Sequence, residues 1–444
     1  MSGPTPLPVE DATCEAGSAG STTRPRILLV LTEFPPRIGG MQTHGVNLAR
    51  HLAERGYPAT VLTHRPTRSD EIGCWRDVDA AMPLPVHRIL SRLSHWATLR
   101  RIEAFARSWR PDLVYCSTVF YGALRHRLGV PVLCRSVGND VLRPWIAWPF
   151  RPLSRLLGAA LLERRLVDLY EGLRSPEWIE RLLRHQRRQL TERSARHMTR
   201  VIANSEFTAG VLRHSGVAPD RLEVLVGGVD AARFARLDGD GPTWRSRLGL
   251  PRDAWLLSTA CRLVPKKGID FLLAAFAHLR RVMPDAHLLI IGSGPRARHW
   301  QDLARTSDVA DAVSFVGRVE HDRLPPYLWA SDAFVLASRV HVSRRSGLTD
   351  VETMGRVLCE ANAAGTPVLA SRCGGIPSVI EDGVNGRLFE PDDVDDFVVK
   401  AGALRREVHE TQAMVERGRL IATQRFDWSV IVGHHERLFR QSLG

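Results

Sequence analysis

From Arg26 onward, short apolar runs alternate with helix-like stretches. RILLVLTEFPP is followed by MQTHGVNLARHLAERG and then by a second run, PATVLTH, while DLVYCS, VPVLCRS and RVIANS read as further strands. This alternation predicts a parallel sheet with crossover helices. After the polar stretch from Asp238 to Thr243 it restarts, with AWLLSTACRL, AHLLIIGSG, AVSFVG, AFVLAS and TPVLAS as strands. Two Rossmann-like α/β halves joined near residue 240 are the economical reading. The expected division is a first domain over 26–240 and a second over 241–425, with a final helix over about 426–444 packing back on the first.

Length supports two domains, because 444 residues exceed what one core usually fills. Residues 1–25 are rich in Gly, Ser, Thr and Pro without an apolar run, so a flexible tail is expected rather than a signal peptide. No stretch approaches the roughly 18 apolar residues of a membrane span. Seven cysteines without a CxxC pair argue against a disulfide framework or a zinc site. A reduced cytoplasmic setting fits.

Charge narrows the partners. The net +13 is carried almost wholly by arginine, since Lys266, Lys267 and Lys400 are the only lysines. Anionic partners follow: phosphates or an acidic lipid surface. Nucleic acid is disfavoured, because zinc-finger spacing, an aromatic RNP-like strand and a basic low-complexity arm are all missing. From Arg143 to Arg200 stand thirteen arginines against six acidic residues. Within that segment RPLSRLLGAALLERRLVDLY sets Leu153, Leu156, Leu157, Ala160 and Leu161 at helical spacing beside Arg151, Arg155, Arg164 and Arg165. Such a helix can either lie on an anionic bilayer or pack its leucines on the sheet.

In doubly wound sheets the ligand sits at the carboxyl ends of the strands. After STACRL comes VPKKGID, which places Arg262 and Lys267 across a strand end and a helix start, a site for a diphosphate. After AFVLAS comes a polar loop and then VETMGRVLCEANAAG. A helix beginning near Gly355 would turn the backbone N–H groups of Thr353, Met354, Gly355 and Arg356 toward phosphate oxygens. Glu352 would lie beside whatever the phosphate carries, and Glu360 could bond the vicinal hydroxyls of a ribose. A sugar nucleotide has hydroxyls at both ends and a diphosphate between them.

At these residues the chain resembles the retaining glycosyltransferases of the GT-B fold, family 4, from Arg26 onward. The E-x7-E signature stands as ETMGRVLCE, with CRLVPKKG, VSFVGRV and SRCGGIPSVIEDGVNGRLF in order around it. The resemblance implies two Rossmann-like domains facing each other across a cleft. It implies that Arg262 and Lys267 neutralise the leaving diphosphate, that Glu352 contacts the transferred sugar, and that Glu360 holds the ribose. Gly39 and Gly40 match the glycine loop near donor and acceptor, and Arg318 and Val319 match the loop beside the base. His44, Asn139 and Asp140 are expected on the acceptor side. A nucleoside-diphosphate sugar would be the donor, and a glycan, a lipid-linked sugar or a small aglycone the acceptor; no cofactor and no metal are expected. Family members often carry histidine where Val137 stands, glycine and phenylalanine at Thr353 and Met354, and asparagine at Gly227.

Cleaving a sugar–diphosphate bond develops charge on both fragments, so cations and helix dipoles at the leaving group can supply much of the rate. Retention of configuration is implied by the resemblance alone. GSGPRA at Gly292 to Ala297 formally satisfies a dinucleotide fingerprint, but a lone match is common. The DVD at Asp77 to Asp79 follows no clear strand and carries no metal site. A glycosidase also uses two carboxylates, yet gains nothing from a diphosphate clamp. The rival from another class is a relative that binds a sugar nucleotide without turning it over; Val137 favours it, and Arg262, Lys267, Glu352 and Glu360 oppose it.

Overall fold

Seven parallel strands build the first sheet: β1 (Ile27–Val30), β2 (Ala59–His64), β3 (Val86–Leu90), β4 (Leu113–Cys116), β5 (Val132–Ser136), β6 (Arg200–Ala203) and β7 (Leu222–Val224), in the order β3-β2-β1-β4-β5-β6-β7. The computed structural model describes residues 24–36, 39–67, 69–159, 162–163, 165–166, 177–235, 239, 241–343 and 347–444. A second sheet follows with β8 (Trp255–Ala260), β9 (Ala286–Ile291), β10 (Val313–Gly317) and β11 (Ala333–Leu336). After a small hairpin of β12 (His341–Val342) and β13 (Thr349–Asp350) it is completed by β14 (Val368–Ser371) and β15 (Arg387–Phe389). Its order is β10-β9-β8-β11-β14-β15. In both sheets the order reverses beside the first strand, so a crevice opens at the carboxyl ends of β1 and β4 and of β8 and β11.

The central strands are apolar on both faces because helices cover both. β1, β4 and β9 are buried along their whole length. One face of the first sheet receives helix Gly40–Glu54, whose Leu48, Ala49 and Leu52 face Leu29, Leu31 and Tyr115. The same face receives helix Trp428–Leu443 through Trp428, Ile431, Val432, Leu438 and Phe439. At about 1.5–3 kcal/mol for each fully buried large side chain, this helix is a substantial part of that core.

The chain passes between the two units twice, and the passages run side by side. Val229 bridges to Asp427, Gly228 N donates to Phe426 O (2.9 Å) and Trp428 N to Val229 O (3.0 Å). Gly227 has φ 129°, and a Cβ there would stand 2.8 Å from the Cα of Phe426. The departure from asparagine at this position therefore has a steric reason. The joint expected near 240 falls largely on residues outside the described ones, as does all of the 1–25 tail before Arg24.

The arginine-rich segment differs from a continuous helix. A short helix, Ser154–Leu157, is followed by residues only partly described; Ala160, Leu161 and Arg164 lie outside them, and a long helix covers Glu177–Arg196. Leu153 and Leu156 are 59% and 58% exposed, so neither packs on the sheet. GSGPRA also has a structural explanation. A Cβ on Gly292 would stand 1.9 Å from the Cys261 carbonyl, and one on Gly294 2.4 Å from that of Leu263, so the glycines let this loop pass the one that carries Arg262.

Candidate active site

β8 ends at Ala260, and the chain turns through a 3-10 segment, Pro265–Lys267, into helix Ile269–Val282. Gly268 makes the turn at φ 62°, and a Cβ there would stand 2.1 Å from the Ala337 carbonyl. The tight turn sends its two lysines to one segment of chain. Lys266 Nζ bonds the Val351 carbonyl (3.1 Å) and Asp350 (3.0 Å), while Lys267 Nζ donates to Glu352 Oε2. Burial pushes the Lys267 ammonium down, but Glu352 and Cys261 outweigh it and leave it above its ordinary value. Burial likewise pushes Glu352 up, and Lys267, Lys266 and the Met354 N–H outweigh that and hold it below the usual carboxylate range. The pair is charged at neutral pH. Arg262 is exposed beside it, with no ion-pair partner among the described residues.

The segment carrying Glu352 is clamped from behind. Gly375 N donates to the Glu352 carbonyl (2.8 Å), and a Cβ on Gly375 would stand 1.8 Å from the Thr353 carbonyl. The paired glycines of SRCGGIPS thus let two backbones touch. Thr353 is buried and its hydroxyl accepts from Asn204 Nδ2 of the first domain (3.4 Å). Met354 packs its side chain into the second core, and its N–H serves the Glu352 carboxylate, so it is not free for a phosphate as expected. Gly355 caps helix Arg356–Ala364 at φ 84°. Arg356 points across the gap, its Nη2 donating to the carbonyl of Gly40. Gly39 is extended, and a Cβ there would stand 2.6 Å from Gln42 Oε1.

Glu360 is 5% exposed, and its Oε1 lies 3.0 Å from His321 Nε2. Both line a cavity of about 290 Å³ between the domains, with Asn47, Arg50, Phe234 and Trp428 on its walls. His321 follows Arg318 by three residues and Val319 by two, after the same strand end, and that proximity is the signal that could have found it. Arg318 itself is exposed and pairs with Glu320 (3.1 Å), and Val319 packs on the second core.

Two of the residues expected on the acceptor side are interior. His44 is 5% exposed, with Nε2 3.1 Å from Tyr115 Oη, and it stands against Trp428 and His435. Asp140 is fully buried and accepts from Ser136 Oγ (2.7 Å) and Val119 N (3.1 Å), so it ties together the turns after β4 and β5; burial pushes it up to about 6. In both, a polar residue near a strand end or helix start serves the fold from inside. Asn139, next to Asp140 in the chain, is half-buried, its Oδ1 without a partner. Val137 is half-buried, and a Cβ on the next residue, Gly138, would stand 3.2 Å from Thr353, so this loop faces Glu352's segment. Asp79 is taken by Arg88 (2.7 and 2.8 Å). Among the described residues no three His, Cys, Asp or Glu side chains group to hold a metal.

Two doubly wound domains thus enclose a cationic, carboxylate-lined crevice. Residues 240–420 match the family described as Glycosyl transferases group 1, and residues 38–233 that described as Glycosyltransferase Family 4. A GDP-mannose-dependent alpha-(1-6)-phosphatidylinositol monomannoside mannosyltransferase of Mycobacterium tuberculosis is 34% identical over 428 residues, 91% of this chain and 96% of that one. The protein of the same name from Mycolicibacterium smegmatis is 37% identical over 207 residues, 47% of this chain and 53% of its own. In fold, Anabaena HepE in complex with UDP superposes with a TM-score of 0.70 at 20% identity, covering 94% of this chain and all of that one. The chain belongs to the group 1, family 4 glycosyltransferases, and is an enzyme that uses nucleoside-diphosphate sugars.

Proposed function

We propose that the protein transfers a hexosyl residue, with retention, from a nucleoside-diphosphate sugar to a hydroxyl of a lipid-linked, phosphate-bearing acceptor. The observation that carries the reading is the buried Lys267–Glu352 pair, set with Arg262 where β8 ends and flanked by Glu360 on the next helix. In this reading Arg262 and Lys267 stabilise the departing diphosphate, Glu352 orients the sugar, and Glu360 with His321 binds the ribose. No side chain attacks the sugar: the acceptor hydroxyl does so from the leaving-group face, and the departing phosphate takes its proton. GDP-mannose is the first donor to try, because a relative that covers nearly the whole chain acts with it. Incubation with a panel of nucleotide sugars and phosphoinositide, polyprenyl and soluble acceptors tests the assignment. Mass spectrometry should find a hexose added to a lipid-linked acceptor, and NMR should show an anomer matching that of the donor. No turnover at all, donor hydrolysis included, would favour a binding protein of the same fold, the reading to which Val137 points, whereas donor hydrolysis without transfer would overturn the lipid-linked acceptor and keep the enzyme.

The ribose assignment is checked on its own. Glu360→Gln should weaken nucleoside diphosphate tenfold or more, about 1.5 kcal/mol, since a charge-assisted hydrogen bond becomes a neutral one. Calorimetry with the free nucleotide reads this directly, and unchanged affinity would return Glu360 to a purely structural partnership with His321.

Membrane contact through 143–200 is part of the proposal. Exposed Leu153, Leu156, Leu182 and Trp145 are interspersed with arginines, an arrangement suited to an anionic bilayer. Sedimentation with vesicles containing anionic lipid should carry the protein down at low salt and release it at high salt. Replacing Arg151, Arg155, Arg164 and Arg165 by glutamine should abolish it. Wild type left in the supernatant at low salt would favour a soluble acceptor.

A further inference from the structure

A buried arginine ordinarily has its donors filled. Arg245, 4% exposed, donates to the carbonyls of Ala330 (2.8 Å), Arg252 (3.0 Å) and Ala254 (2.7 Å) and to Asp332 (2.6 Å). Arg135 on β5 is nearly as deep, at 6%, and has none of this: its Nε lacks a partner, and among the described residues no ion pair reaches it. Among the described residues the ionisable groups that bear on it are Tyr115, Cys134, His44, His435 and Arg356, none of them a carboxylate. Nor do the neighbours supply hidden negative charge. Burial holds His435 near 4 and His44 well below its ordinary value, so both rings are neutral, and Tyr115 and Cys134 are pushed up and stay protonated. Burial lowers Arg135 to about 10, which still leaves it a cation at neutral pH.

Arg356 is the second half of the same pattern. It opens the nine-residue helix Arg356–Ala364 and spans the gap between domains, yet the group it bonds there is a neutral carbonyl, that of Gly40. Two guanidiniums, one buried and one half-buried, therefore stand near one another beside a helix amino terminus; among the described residues neither has an ion-pair partner in contact, and the carboxylate that bears on Arg356 is that of Glu360, one turn along its own helix. An uncompensated buried charge is costly, and a helix amino end adds positive potential. Glu360 is engaged by His321, so what the two guanidiniums lack, among the described residues, is an anion in contact with them.

We propose that Arg356 is a third cation for the diphosphate of the donor, with Arg135 behind it as a positioning residue that keeps the pocket electropositive. The inference rests on the donor site proposed above. Lys267 is already committed to Glu352, which leaves Arg262 as the one uncommitted member of the two cations assigned from sequence, against a ligand group carrying two or more negative charges. Arg356 lies on the residue between the two glutamates that begins the helix. Binding exchanges its neutral acceptor on Gly40 for a phosphate oxygen, a stronger partner, so the bond between the domains changes hands when the donor enters.

Calorimetry with nucleoside, nucleoside monophosphate and nucleoside diphosphate, in the guanosine and uridine series, tests this with the full chain. In Arg356→Leu the diphosphate should lose at least tenfold in affinity, the monophosphate less and the nucleoside nothing. The salt dependence of diphosphate binding should flatten, and Arg356→Lys should recover part of the loss. Arg135→Met should also weaken diphosphate binding, while the ligand-free protein melts no lower than wild type, because an unpaired buried charge has been removed. Equal losses for nucleoside and diphosphate, or a drop in melting temperature for Arg135→Met with diphosphate affinity intact, would overturn the proposal. A loss seen with inositol phosphate and not with diphosphate would overturn it in favour of an acceptor phosphate. If Lys267→Ala weakens diphosphate binding and Arg356→Leu does not, this inference alone falls; if wild type binds no nucleoside diphosphate, the donor site itself falls with it.

Discussion

Lys267→Ala is expected to lower turnover by on the order of 10² while the protein stays folded, the usual effect of removing one preorganised charge from a leaving group. The fold should survive because Lys266 still fastens the segment through Val351 and Asp350. Stability should nonetheless dip, since Glu352 is left with a desolvated charge and one fewer partner. A double-mutant cycle separates the two effects. Glu352→Gln in the Lys267→Ala background should recover much of the lost stability and none of the lost turnover, because a neutral amide tolerates burial and cannot replace a cation. Stopped assays at saturating donor, alongside denaturant unfolding, give both quantities. Near-wild-type turnover in Lys267→Ala would mean that the diphosphate lies elsewhere.

Arg245→Met should destabilise the second domain by about 3 kcal/mol, since three backbone carbonyls and a partly exposed carboxylate lose their donor at once. Arg245 gathers three carbonyls and Asp332, and Asp332 in turn accepts from Leu256 N on β8 (2.6 Å). Methionine fills the volume and returns none of these bonds. Urea unfolding should show an earlier transition, with nucleotide affinity little changed in the folded protein. A loss under about 0.5 kcal/mol, the scale of an ordinary surface change, would contradict the argument.

Central strands were legible because crossover helices bury both faces, which leaves apolar runs such as LLII and AFVL in plain view. β3, β7 and β15 were not: they are edge strands, VHRIL, LEV and RLF, short or half-exposed, with nothing periodic to mark them. At the site, Arg262, Lys267, Glu352 and Glu360 could be found since each belongs to a loop or helix start that follows a strand. Their partners could not. Lys267 reaches Glu352 over 85 residues, His321 reaches Glu360 over 39, and Arg356 reaches Gly40 over 316. Local periodicity says which face of an element is buried and nothing about which loop tips meet. His44 shows the converse: it precedes Leu48 and Leu52 by four and eight residues, so the helical period already placed it on the buried face.

Helix Trp428–Leu443 covers a face of the first sheet, although the whole second domain lies between them in the chain. During synthesis, then, the first domain must wait. Ile27, Leu29, Leu48 and Leu52 have no cover from this helix until residues 428–443 leave the ribosome, after the second domain can already have folded. At roughly 5–20 residues per second, the 204 residues from β7 to that helix take on the order of 10–40 s. For that interval the nascent chain displays an apolar surface that a chaperone, or a second nascent chain, can reach.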